Sequence, residues 1–416
     1  MNKNMKNYSV NKTINLLINK YRKKNNKFSY PLLDDAFSNN DLSKGIKVIL
    51  SGQLTMSKET KNFEKLFAKK IKAKYAVMVN SGSSANLLAT FAACNPMRKK
   101  RFKKGDEVLI PALCWSTSLW PLVQSGLKPK FVDVDPYTLN VNSKDLIKKI
   151  TNKTKVIMII HALGNSSEID LISNYAKKKN IILIEDTCES LGSKYKGKSL
   201  GTFGDFGTYS FYYSHQITSG EGGMIVCNSK NDFNILKSLR AHGWDREINK
   251  KNIKNFNFIN EGFNLRPLDI TAAIGFNQFK RLSQLKNTRA KNRNNLVKSI
   301  KSSKKWQNQY SFFNPQKNLD PSWFGFPLMI NNKSTSSKKK FLKYLNKNKI
   351  ETRPIISGNF TNQPAIKKYN IKYNKNDLKN SQEIEDRGFF IGLPTKVLNN
   401  SKINKITNLL LNVNNF

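Results

Sequence analysis

A chain of 416 residues is long enough for one large domain plus a smaller one, an enzyme-sized object rather than a single binding motif. Lys plus Arg exceed Asp plus Glu by 72 − 28 = +44. That excess is nearly all Lys, is spread along the whole chain and travels with abundant Asn and Ile, which reads as compositional bias and argues against a dedicated nucleic-acid or membrane patch. Cys94, Cys114, Cys188 and Cys227 have no CxxC and no paired spacing, as expected of buried reduced thiols rather than a disulfide framework or metal site. No apolar run reaches membrane-spanning length, and residues 1–27 read as a basic, partly helical leader of a soluble, cytoplasmic protein.

Residues 58–73 place Phe63, Leu66, Phe67 and Ile71 at helical spacing. "YAVMVNSGSSANLLATFAAC" then reads strand, tight turn, helix. The alternation continues through "DEVLIPAL", "STSLWPLVQSG", "KPKFVDVD", "SKDLIKKI", "KVIMIIHALG", "IDLISNYAKKKN" and "IILIEDTCES". Short apolar strands separated by amphipathic helices predict a mostly parallel sheet covered on both faces, an α/β domain over 28–266. From about Arg266 the texture changes: one long connecting helix is expected over 267–300, and a smaller α+β domain over 301–416.

Ligands of such a sheet bind beyond the carboxyl ends of its strands, and four stretches fall there. "NSGSSAN", residues 80–86, joins a strand to a helix N-terminus; its exposed amides, with the Ser83 and Ser84 hydroxyls, suit an anion, although an ordinary N-cap turn has the same composition. "IEDTCES" carries Glu185, Asp186 and Glu189. A carboxylate buried there needs a cation such as a protonated ring nitrogen, and the plainer alternative is a solvated loop acid. Trp115 could stack on a planar ligand or simply pack in the core. His215, one of three histidines with His161 and His242, follows a Ser-bearing strand and precedes the turn "TSGEGG", which brings backbone close to whatever the pocket holds. A structural histidine is the alternative there.

Taken together and in order, "NSGSSANLLAT", "CWST", "FVDVD", "IEDTCESLGS", "GTFGDFGTYSFYYSHQITSGEGG", "RAHGW" and "GFNLRPLDITAAIG" resemble the sugar aminotransferase family DegT/DnrJ/EryC1/StrS over nearly all of residues 28–416. The resemblance implies the fold-type I architecture of vitamin B6 enzymes, aspartate aminotransferase-like, working as a homodimer with shared active sites. Ordinary members carry a Lys five residues before the first Gly of "GEGG". Here that position is His215, and no Lys lies between Lys198 and Lys230.

This departure resembles the branch of nucleotide-sugar 3-dehydratases that use pyridoxamine 5′-phosphate. One kind of that branch carries an iron-sulfur cluster on three closely spaced cysteines after its "R…W" segment. "RAHGWDREINKKNIKNFNF" has no cysteine, so no cluster is expected and no metal site is assigned. The resemblance implies His215 as the catalytic base. It gives Asp186 to the pyridinium nitrogen, Trp115 to the ring face, Glu189 to the ring hydroxyl, and Gly82, Ser83 and Ser210 to the phosphate. Asn264 and Arg266 would reach across from the partner subunit. The implied substrate is a GDP-linked 4-keto-6-deoxymannose, with L-glutamate regenerating pyridoxamine phosphate from pyridoxal phosphate. A CDP-linked 4-keto-6-deoxyglucose and an ordinary amino transfer stand as alternatives.

Overall fold

The computed structural model describes residues 3–22, 27–34, 36–248, 256–331 and 335–416. Its central element is a seven-stranded sheet in the order β1-β9-β8-β5-β4-β2-β3. The strands are β1 (Tyr75–Val79), β2 (Glu107–Pro111), β3 (Lys128–Val132), β4 (Thr154–Ile160), β5 (Ile182–Asp186), β8 (Phe206–Ser210) and β9 (Gly223–Cys227). β3, β2, β4, β5 and β8 run parallel, while β9 is antiparallel to both β8 and β1. The expected mostly parallel α/β architecture is therefore the one observed. All five residues of β5, β8 and β9 are buried; β9 reads as a mostly apolar run, while β5 and β8 also bury the polar side chains Glu185, Asp186, Thr208 and Ser210.

The helix Gly82–Cys94 follows β1 and buries Ala85, Leu88, Ala89, Ala92 and Ala93. Its small side chains let it lie close to the sheet. Ser81 caps it, the side chain accepting from the Ser84 amide at 3.1 Å. The cap holds the helix N-terminus at the carboxyl end of β1, beside the ends of β5 and β8.

Beyond the sheet, the single helix expected over 267–300 is two, Asp269–Lys280 and Leu282–Lys301. Asp41, with no exposed surface, accepts from the Arg281 guanidinium, the Asn277 amide and the Gln278 amide together, which ties the junction to the helix Asn39–Leu50.

The remaining strands are short. β10 (Tyr310–Phe312), β12 (Phe326–Ile330), β14 (Gly388–Ile391) and β13 (Thr352–Arg353) form a four-stranded antiparallel sheet, and β11 (Leu319–Asp320) joins β6 (Lys194–Tyr195) and β7 (Lys198–Ser199). The four-stranded sheet has its own core, including Phe326, Leu328, Phe341 and Phe389. Tyr30 joins that core and its hydroxyl donates to the Gly392 carbonyl at 2.9 Å, so the segment before the first sheet is anchored at this end. Preceding it, the helix Lys3–Tyr21 packs Ile14 and Ile18 inward. Among the described residues no helix is long and apolar enough to cross a membrane.

Candidate active site

Where β1, β5 and β8 end, a cavity of about 840 Å³ opens. Gly82, Ser83, Trp115, Asp186, Glu189, Ser210 and His215 all line it. Seven of the nine residues expected at the site thus converge in one place, drawn from strand ends and turns far apart in sequence. Asn264 and Arg266 do not line it. They sit together on the surface, the Arg266 Nε donating to Asn264 Oδ1 at 3.1 Å.

The acids of "IEDTCES" separate by strand geometry, because successive side chains of a strand point to opposite faces. Glu185, fully buried, turns away from the cavity. It accepts from the amides of Gly201, Phe203 and Gly204 at 2.8, 2.6 and 2.7 Å and meets His161 Nε2 at 3.0 Å. Glu185 and His161 are therefore a structural pair that pins the loop before β8.

Asp186 turns the other way, into the cavity. Its Oδ2 accepts from Asn86 Nδ2 at 2.7 Å and Ser118 Oγ at 2.8 Å, and its Oδ1 accepts from the Cys188 amide at 3.1 Å. A carboxylate offers about four acceptor positions. These donors hold the carboxylate with its acceptor face on the cavity, where a cation can meet it.

Glu189 lies one turn further on, where its carboxylate accepts from the Leu163 amide at 3.0 Å. Burial pushes its carboxyl up to about 7; the Leu163 amide opposes the shift and the charge of Asp186 adds to it. Such a group can donate a hydrogen bond to a ligand oxygen near neutral pH, which an ordinary carboxylate cannot.

His215 stands edge-on to two rings, Phe324 at 5.0 Å and Tyr212 at 5.9 Å between centroids. Its Nδ1 is buried with no hydrogen-bond partner among the described residues. Burial, and then the positive charge of Arg289, lower its pKa to about 3; Arg289 donates to the His215 carbonyl at 3.1 Å. The packed aromatic edges and the buried Arg289 guanidinium both oppose the charged form, so the resting ring is neutral. Its NMR signals in the ligand-free protein should therefore keep their neutral-imidazole positions down to about pH 5; a midpoint near the ordinary value of about 6.5 would contradict this.

The opposite end of the cavity is built for an anion. The first amides of the helix Gly82–Cys94 face it, Ser83 is exposed there with its hydroxyl donating to Thr117 Oγ1 at 3.1 Å, and Ser210 closes the far side. A side chain at position 82 would place its Cβ 2.4 Å from Ser210 Cβ, so only glycine lets backbone and serine approach this closely. Trp115 precedes the helix Ser116–Gln124 and is 55% exposed, an indole face left open between the two ends. Anion cradle, flat aromatic face and acceptor carboxylate, all lining one cavity, fit a phosphorylated pyridine ring such as pyridoxamine or pyridoxal phosphate.

Four contributors escaped the sequence reading: Asn86, Ser118 and Thr208 behind Asp186, and Arg289 behind His215. Asn86 had a detectable signal, since an Asn inside an Ala-rich helix is disfavoured unless its amide has a buried task.

Comparison with known proteins follows the same lines. The description "DegT/DnrJ/EryC1/StrS aminotransferase family" belongs to a family model that matches residues 36–410. A GDP-4-keto-6-deoxy-D-mannose 3-dehydratase from Escherichia coli O55:H7 is 38% identical over 376 residues, covering 88% of this chain and 95% of its own. The solved structure of an E. coli GDP-4-keto-6-deoxy-D-mannose-3-dehydratase with bound hydrated PLP superposes with a TM-score of 0.85 at 36% identity, covering 92% of this chain and 99% of that one. A GDP-4-keto-6-deoxymannose-3-dehydratase with a trapped PLP-glutamate geminal diamine gives 0.84 at 36% identity over 92% and 100%.

Proposed function

The chain belongs to the DegT/DnrJ/EryC1/StrS aminotransferase family, and from that premise we propose that it removes the C3 hydroxyl of a GDP-linked 4-keto-6-deoxymannose. The work is done with pyridoxamine phosphate, which L-glutamate restores, and serves lipopolysaccharide sugar synthesis. The observation that carries this reading is His215, an imidazole lining the cofactor cavity where an amino-transferring member has its lysine. An imidazole cannot form the covalent link that a lysine amine forms with pyridoxal phosphate. The one lysine among the described lining residues, Lys27, is exposed and carried on the segment before Tyr30.

When bound, the cofactor supplies an amine for the sugar ketone and a protonated ring that accepts an electron pair. The protein's own residues do the rest. Asp186 holds the proton on the ring nitrogen, Trp115 covers the ring, and Glu189 donates to the ring oxygen. The amides of Gly82 and Ser83, with the Ser210 hydroxyl, bind the phosphate. His215, neutral at rest, takes a proton from the carbon bearing the amine. The imidazolium so formed is a strong acid in that surround, and it hands its proton to the departing C3 hydroxyl. Phe324 and Tyr212 limit water around it.

Atoms balance without a separate reductase: sugar and glutamate go to 3-deoxy-4-keto sugar, 2-oxoglutarate and ammonia. This agrees with the absence of a cysteine triplet in the sequence between Arg240 and Phe258. The same proposal makes the working unit a homodimer. Asn264 and Arg266 stand outside their own chain's cavity and are given to the partner's.

The test is a substrate panel. With L-glutamate, the GDP-linked 4-keto-6-deoxymannose should yield 2-oxoglutarate and ammonia, while the CDP-linked 4-keto-6-deoxyglucose should give little of either. The reverse preference would overturn the sugar assignment.

A further inference from the structure

Behind Asp186 lies a buried polar chain that the chemistry described so far does not use. Asn86, Ser118 and Thr208 are 2%, 0% and 0% exposed. Asn86 Nδ2 and Ser118 Oγ both donate to the same carboxylate oxygen, Asp186 Oδ2. On the other side of the amide, Thr208 Oγ donates to Asn86 Oδ1 at 2.6 Å. A hydroxyl hydrogen on Oδ1 fixes the amide with its NH2 toward Asp186, and polarises those N–H bonds. The three residues come from different elements: the helix Gly82–Cys94, the helix Ser116–Gln124 and strand β8.

We propose that Asn86, with Ser118 and Thr208, are positioning residues that decide where the proton sits between Asp186 and the ring nitrogen of the cofactor. This rests on the pyridoxamine phosphate reading given above. A carboxylate and a pyridine nitrogen in a dry site can share their proton in two ways, as an ion pair or as a neutral acid beside a neutral ring. Donors to the carboxylate stabilise its charged form and leave its neutral form unaided. Two donors on Oδ2 therefore place the proton on the ring, and a ring that carries it is the better electron sink. Without them, burial favours the neutral pair.

The experiment is nitrogen NMR of bound pyridoxamine phosphate labelled at its ring nitrogen, in the full-length protein and its variants. In the unsubstituted protein the signal should lie at the pyridinium position. In Asn86→Ala and in Ser118→Ala it should move toward the unprotonated position. Turnover should fall about tenfold or more in both, as expected for the loss of one hydrogen bond to a charged group, while cofactor affinity changes much less. Thr208→Val should shift the signal the same way by a smaller amount, and Thr208→Ser, which keeps the hydroxyl, should restore it.

A cofactor-free readout runs alongside: the Asn86 side-chain amide should exchange slowly with solvent in the Thr208→Ser variant and faster in Thr208→Val. Pyridinium signals retained in both Asn86→Ala and Ser118→Ala would overturn the proposal and leave the cofactor assignment standing. Failure of the unsubstituted protein to bind the cofactor would overturn both, and a bound cofactor without a pyridinium signal would overturn the positioning proposal alone.

Discussion

Replacing His215 by Lys should abolish dehydration and leave pyridoxal phosphate attached so that dialysis no longer removes it, with absorption in the visible. The site explains both effects. His215 lines the cavity, and its ring is held between Phe324 and Tyr212 in a surround that lowers the pKa of the imidazole to about 3. The same burial disfavours an ammonium, so a lysine there would be an uncharged amine, ready to attack the cofactor aldehyde. General acid and base assistance is worth roughly 10²–10⁴-fold in rate, and the single imidazole is asked to perform two proton transfers, so turnover should fall to at least that extent. His215→Asn should lose turnover equally but release cofactor on dialysis. Normal dehydration in either variant would remove His215 from the chemistry.

Asp186→Ala should have the second-largest effect. It deletes the cation-binding carboxylate and strands two buried donors, Asn86 Nδ2 and Ser118 Oγ. A hydrogen bond to a charged group contributes about 1.5–3 kcal/mol, so cofactor affinity should weaken by roughly 10–100-fold. Turnover at saturating cofactor should fall further still, because the ring loses its proton. Equilibrium binding of pyridoxamine phosphate and turnover measured at saturation separate the two losses. Unchanged affinity together with unchanged turnover would show that Asp186 does not face the ring.

How much of this was legible in the sequence follows from where each residue's role is encoded. The β5 strand could be read because its apolar run is bounded by acids and because a parallel sheet sends its ligands to the strand ends. Which of the acids mattered was less open to reading from composition. Glu185 and Asp186 are neighbours of the same type, and only the alternation of the strand sends one to the loop at Gly201–Gly204 and the other into the cavity. Gly82 could be read as part of an anion turn, but its reason, the 2.4 Å approach to Ser210, joins residues 128 positions apart.

The charge state of His215 depends on the same kind of distant cause. Arg289 and Phe324 reach it from 74 and 109 residues away, and local sequence says nothing of either. The long helix after Arg266 carried a helical pattern throughout. The junction at Arg281 is held by Asp41, an acid near the other end of the chain. Patterns within a window of about a dozen residues were readable; electrostatic couplings across the fold were not.

The central claim is that an imidazole where amino-transferring family members have a lysine makes this site deoxygenate a sugar rather than aminate it. The most direct measurement is the mass of the sugar product formed from GDP-linked 4-keto-6-deoxymannose with L-glutamate by the unsubstituted protein. The account requires a product lighter than the substrate by one oxygen atom, with ammonia released and the ketone retained. A product in which an amine has replaced the ketone, the C3 hydroxyl still in place, would contradict it.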